Sequence, residues 1–142
     1  MLCLGCYAPL KGGWISCSNC GGTLCSAKCK DSAEHQMECS FFAKQNMTIT
    51  ADTNLLNPYD LILPLRILSL RKSKPDLWKP FWKLMSHLAE FKQNKEWMEK
   101  QKPICDFILN KMKIPNVTEE MLLTILAIDS INGRTSKILV IN

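Results

Sequence analysis

The sequence predicts a mostly α protein in two parts: a small cysteine-rich module with a short β-hairpin, then an irregular bundle of about four helices. Three observations predict it. Seven of the eight cysteines fall within the first 39 residues. From Tyr59 onward, apolar residues recur at spacings of three and four, the period of a helix with one buried face. Between the two lies a weakly patterned stretch containing "NMTITADTN", rich in turn-forming polar residues. The expected division is therefore a cysteine module over 1–40, a linker over 41–58 and a helical region over 59–142.

Composition narrows the class. The chain has 142 residues and 46% apolar content, as in globular proteins. Its net charge is +5, from 18 Lys and Arg against 13 Asp and Glu. Those charges are read as scattered among apolar residues, so nucleic acid is not an expected partner. The N-terminal "MLCLGCYAPLKGGW" has no apolar run of signal-peptide length. "LILPL" and "MLLTILAI" are far shorter than the roughly 20 residues that span a bilayer, so no membrane association is expected. The expected location is a reducing compartment, nucleus or cytoplasm, where disulfides are disfavoured and clustered thiols hold metal.

The cysteine module reads C-x2-C, ten residues, C-x2-C, four residues, C-x3-C, five residues, H-x3-C. The donors are Cys3, Cys6, Cys17, Cys20, Cys25, Cys29, His35 and Cys39. Eight such donors make two tetrahedral sites, and thiolate with imidazole suits zinc. A C-x2-C pair turns tightly enough for both sulfurs to meet one ion, with Gly5 and Asn19 expected to accept the backbone angles. A C-x3-C or H-x3-C pair sets donors one turn apart on a helix face. Spacing allows two ways of sharing. Successive sites would use Cys3, Cys6, Cys17 and Cys20, then Cys25, Cys29, His35 and Cys39. Interleaved sites would pair Cys3 and Cys6 with Cys25 and Cys29, and Cys17 and Cys20 with His35 and Cys39. Interleaving ties together the ends of a segment whose apolar residues (Leu4, Tyr7, Leu10, Trp14, Ile15 and Leu24) are too few for a core. In either scheme all coordination positions are filled by protein, so the metal is structural and no thiol is expected to be a nucleophile. His87 and Cys105 have no partner at ligand spacing and read as packing residues.

This donor order, with "LCSAKC" and a closing "HQMEC", resembles a MYND zinc finger. The resemblance implies the interleaved sharing: Cys3, Cys6, Cys25 and Cys29 for one zinc, Cys17, Cys20, His35 and Cys39 for the other. It also implies an adaptor role, since some such fingers grip proline-rich peptides in a shallow groove with an aromatic wall.

The helices follow. "YDLILPLRILSLRK" is apolar at Leu61, Ile62, Leu65, Leu68 and Leu70, with Asn57 or Asp60 as cap. Pro64 is expected near its start or at a bend. In "SKPDLWKPFWKLMSHLAEFKQN", Pro75 or Pro80 suits a first turn. Trp78, Phe81, Trp82, Met85, Leu88 and Phe91 would form one aromatic-rich face. "KPICDFILNKM" aligns Ile104, Phe107, Ile108 and Met112. "VTEEMLLTILAIDSIN" opens on Thr118 as cap with Glu119 and Glu120 in its first turn. Its Met121, Leu122, Ile125, Leu126, Ile128 and Asp129 predict a mostly buried helix. "SKILVIN" has strand character.

"YDLILPLRILSLRKSKPDLWKPFWKLMSH" resembles the segment after the finger in SET-and-MYND lysine methyltransferases, especially their arthropod branch. "TEEMLLTILAIDSINGRTS" is similar to the following helix in that family. The resemblance covers nearly all of Cys3 to Ser136 and implies the insert region of such an enzyme. Methyl transfer from S-adenosylmethionine would further require a Gly-rich cofactor segment, an "NHSCxPN"-like motif and an active-site tyrosine. Tyr7 and Tyr59 do not match the last. No catalytic or cofactor-binding residue is therefore expected, and S-adenosylmethionine is not an expected ligand of this chain alone. The expected function is a zinc-binding protein-interaction module, a fragment or truncated paralogue of a SET-and-MYND protein, with a protein or peptide partner. The alternative is a part of a protein-lysine methyltransferase whose SET core lies outside this chain.

Overall fold

Two compact units divide the chain within one helix, Met1–Leu65 and Arg66–Asn142. The computed structural model describes residues 1–49, 57–83 and 86–132. The elements are β1 (Ile15–Ser16), β2 (Thr23–Leu24), α1 (Ala27–Lys30), α2 (Ala33–Lys44), α3 (Pro58–Ser73), α4 (Pro75–Trp82), α5 (Leu88–Gln93), α6 (Lys95–Asp106) and α7 (Glu119–Asn132). The protein is mostly α, with one small hairpin among the described residues. No helix among the described residues is long and apolar enough to cross a membrane.

In the first unit, β1 and β2 pair antiparallel with Ile15 opposite Leu24 and Ser16 opposite Thr23. The chain start is tied by a bridge between Leu2 and Pro9. The Tyr59 hydroxyl accepts from the Leu2 amide at 2.8 Å and donates to the Leu2 carbonyl at 3.0 Å. One phenol thus serves both backbone groups of Leu2, whose carbonyl also accepts from the Thr23 hydroxyl at 3.3 Å. Among residues 1–49 the buried apolar side chains other than cysteine are Leu4, Leu24, Phe42, Met47 and Ile49. That is a thin core, as the sequence predicts. One boundary differs. Helix α2 runs on to Lys44, because Phe42 on its inner face is fully buried, so Phe41–Lys44 is helix rather than linker. Residues 50–56 of that stretch lie outside the described residues.

Asn57 starts α3, its side-chain oxygen accepting from the Tyr59 amide at 3.1 Å. Pro64 is the seventh residue of α3, deeper than expected, and the helix continues through it to Ser73. The second unit has a fuller apolar interior that includes Ile67, Ile104, Ile108, Met112, Leu122 and Ile125, each at most 3% exposed. Helix α6 is capped by Asn94 and passes at Phe107 into a five-residue π-helical turn ending at Lys111. The expected face of Ile104, Phe107, Ile108 and Met112 is buried throughout. Thr118 caps α7 through the Met121 amide at 3.1 Å.

The long aromatic helix expected from Pro75 to Asn94 is instead two helices, α4 and α5. His87 sits at φ 48°, in the left-handed region, and helical hydrogen bonding cannot run through such a residue. Phe81 points inward, Trp78 is half-buried and Trp82 is 38% exposed. Met85 and the "SKILVIN" segment lie outside the described residues.

Candidate metal centres

The two C-x2-C segments fold into the same knuckle. In each, the amide after the second cysteine donates back to the carbonyl of the first: Tyr7 to Cys3 and Gly21 to Cys17, both at 2.8 Å. In each, the first cysteine's amide donates five residues ahead, Cys3 to Ala8 at 3.0 Å and Cys17 to Gly22 at 2.8 Å. The residue closing each turn is left-handed, Tyr7 at φ 59° and Gly21 at φ 72°. The special backbone positions are therefore Tyr7 and Gly21, not Gly5 and Asn19. Gly5 is needed for room: a Cβ there would lie 2.5 Å from the Cys29 Cβ and 2.9 Å from its carbonyl oxygen. Gly5→Ala is thus expected to push Cys29 away, and native mass spectrometry of that variant to show one fewer bound metal than the wild type.

The donors fall into two groups, and within each group the four ligand atoms lie within 4.8 Å of one another. The first is Cys3, Cys6, Cys25 and Cys29. Its Cys6–Cys25 sulfurs are 3.8 Å apart and its Cys25–Cys29 sulfurs 3.5 Å. Zinc–sulfur bonds of about 2.3 Å at tetrahedral angles set neighbouring sulfurs about 3.8 Å apart, so the spacing fits one ion. Cys25 lies just before α1 and not on it, because Ser26 caps that helix through the Cys29 amide. Two amides, from Gly5 at 3.3 Å and Cys25 at 3.2 Å, point at the Cys3 sulfur.

The second group is Cys17, Cys20, His35 and Cys39, all buried. The Cys17 and Cys39 sulfurs are 3.8 Å apart, and Cys20 lies 3.8 Å from His35 Nε2. His35 and Cys39 share a face of α2, one turn apart. The far side of the imidazole is held by Glu38, whose Oε1 is 3.3 Å from Nδ1, with both side chains fully buried. A carboxylate on Nδ1 fixes the ring and leaves Nε2 free to bind a cation. Sequence spacing of donors did not single out Glu38. Its signal was its position three residues after a ligand-spaced histidine on the same helix.

Electrostatics favour a cation in both groups. Burial works against a Cys3 thiolate, but amides of Cys6, Cys25 and Gly5 outweigh it and lower the group to about 6. Burial likewise opposes Cys17, where the His35 ring and the Cys20 and Asn19 amides bring it to about 6. The partners go the other way. Burial, reinforced by the Cys25 and Cys6 sulfurs, pushes Cys29 up to about 12. Burial and the charge of Cys17 push Cys39 up to about 11, and burial raises Cys20 as well. Thiols raised in this way hold their protons at neutral pH, and a divalent cation displaces them. Zinc added at neutral pH is therefore expected to release protons, measured with an indicator dye in weak buffer.

Ser32 links the two groups. Its hydroxyl donates to the Cys29 carbonyl at 2.8 Å and accepts from the His35 amide at 3.3 Å, capping α2. Ser32→Ala is expected to cost about 1 kcal/mol, seen as a lower melting temperature of the metal-loaded chain. The remaining candidates stay apart from these groups. His87 pairs with Glu90 at 3.0 Å on the surface. Cys105 is buried in the second unit, where desolvation and nearby Glu119 and Asp106 push its thiol to about 12.

No protein-family model, curated protein or solved structure matches the chain. Function is therefore read from the donor groups themselves. Each can hold a metal ion.

Proposed function

We propose that the first unit is a MYND-type zinc finger with two structural zinc ions, and that the chain serves as a protein-interaction module. The observation that carries this is the presence of two groups of four protein donors each, seven thiols and one imidazole in all. Thiolate and imidazole donors select zinc among the common divalent ions. Four protein ligands per ion complete a tetrahedron and leave no position for substrate or water, so the metal organises the fold and catalyses nothing. The free thiols fit a reducing compartment, nucleus or cytoplasm. Native mass spectrometry is expected to count two zinc ions per chain. A metal-free polypeptide, or thiols oxidised in pairs, would overturn the proposal.

A contact surface supports the interaction role. Trp14 and Ile15, adjacent on the hairpin, are 53% and 41% exposed. An exposed indole beside a short strand suits an extended, proline-containing peptide. Chemical shifts of the zinc-loaded chain are expected to move around Trp14 on adding such peptides. Unchanged shifts at millimolar peptide would remove this part of the reading.

The order of parts, a metal unit followed by helices, supports a second reading. In it the chain is the insert region of a SET-type lysine methyltransferase and shapes access to an active site built by other segments. Coding sequence flanking this chain would decide it, by supplying or lacking a Gly-rich segment upstream and an "NHSC"-like motif downstream. S-adenosylmethionine is not expected to bind the 142-residue chain in calorimetry.

A further inference from the structure

We propose that α4 and the turn before it form a binding surface for single-stranded nucleic acid. The charge of the chain is not evenly scattered. Residues 71–83, "RKSKPDLWKPFWK", hold five basic residues and one acidic, a net +4 against +5 for the whole chain. Lys72, Lys74, Lys79 and Lys83 are all exposed. Among the described residues none of these four has an ion-pair partner.

An aromatic platform stands in the middle of this charge. Trp82 stacks on Trp78 with ring centroids 5.0 Å apart and planes 20° from parallel. Trp78 is in turn braced by Phe81 at 6.5 Å and by the Arg71 guanidinium 5.9 Å from its ring. Arg71 is itself fixed by a 2.7 Å bond to the Asn116 carbonyl. Trp82 ends the stack and is 38% exposed. Lys79 lies three residues before it, a spacing that shares a helix face, and Lys83 follows it directly at the helix end.

A prearranged indole amid unpaired cations matches the chemistry of single strands, whose bases stack on aromatic rings while lysines track the phosphates. A duplex hides the faces of its bases from such a ring. A bilayer surface needs a wide outward apolar face, and Trp82 is the only exposed large apolar residue among 71–83. An acidic peptide would use the lysines and leave the indole idle.

The test is fluorescence anisotropy of dye-labelled oligothymidylate and oligouridylate with the zinc-loaded, full-length chain. Binding is expected at low salt. Four lysine–phosphate contacts on a single strand predict a slope of log K against log salt of about −2.8. Trp82→Ala is expected to weaken binding on the order of tenfold, and Trp82→Phe to restore most of it. Lys79→Glu with Lys83→Glu should abolish binding, whereas Lys11→Glu with Lys28→Glu in the first unit should leave it unchanged. Circular dichroism of each variant checks folding, and the charge reversals lie on exposed positions. The proposal is overturned if no oligonucleotide binds at about 50 mM salt, or if the distant reversals weaken binding equally. It is also overturned if phosphatidylserine vesicles or polyglutamate bind as tightly and ignore Trp82→Ala.

Discussion

Treatment with a strong chelator is expected to unfold residues 1–49 and to leave the helices of the second unit folded. The buried apolar residues of 1–49, cysteines aside, are only Leu4, Leu24, Phe42, Met47 and Ile49. Four more buried positions, Cys3, Cys17, Cys20 and Cys39, belong to the two groups that could hold a metal ion. A structural zinc contributes about 10–16 kcal/mol in finger peptides near neutral pH, as much as the whole stability of a typical domain, about 5–15 kcal/mol. Leu61, Ile62 and Leu65 of α3 add to the core of this unit, and the loss of two such ions still exceeds what so small a core supplies. The second unit buries Ile104, Ile108, Met112, Leu122 and Ile125 without help from any donor group. Hydrogen exchange read segment by segment should show protection lost through residues 1–49 and retained in α6 and α7. Equal protection before and after chelation in the first 49 residues would refute the structural role of metal.

Replacing Glu38 is expected to weaken one site and spare the other. Burial alone would make His35 a poorer base, but its bond to Glu38, aided by Cys17, raises it above the ordinary histidine value. A more basic imidazole is the stronger ligand, and loss of such a partner costs about 10- to 100-fold in metal affinity. Glu38→Ala should therefore lower affinity at the Cys17, Cys20, His35 and Cys39 group by that factor. Glu38→Gln, which keeps an acceptor opposite Nδ1, should lower it less. Competition with a chromophoric chelator resolves the two sites as separate steps. A loss shared equally by both sites, or none, would show that Glu38 does not support the ring.

The residues of the two groups that could hold metal were legible in the sequence, because thiols and imidazole at such spacings have few other uses in a reducing environment. Their sharing could not be read from spacing, since the same eight positions allow two pairings. The fold brings Cys3 and Cys6 to Cys25 and Cys29 because hairpin β1–β2 returns the chain to its start, where the Leu4 amide meets the Thr23 carbonyl at 2.9 Å. Glu38 was invisible because a glutamate in a helix is ordinarily solvent-facing, and only burial reveals its work. Tyr7 was missed because tyrosine carries no propensity for the left-handed region that it adopts. In the helical part, apolar periodicity marked the buried faces of α6 and α7. It failed at α4 and α5, where aromatic spacing runs across a break made by the backbone of His87. A charge count over the whole chain also dilutes what residues 71–83 concentrate.

The interleaving of the two donor groups also bears on how the chain can be cut. One group spans residues 3 to 29 and the other 17 to 39. Every peptide bond from Cys20 to Cys25 lies inside both spans. A single protease nick at "GGTL" therefore divides both cages between two fragments, neither of which retains a complete set of ligands.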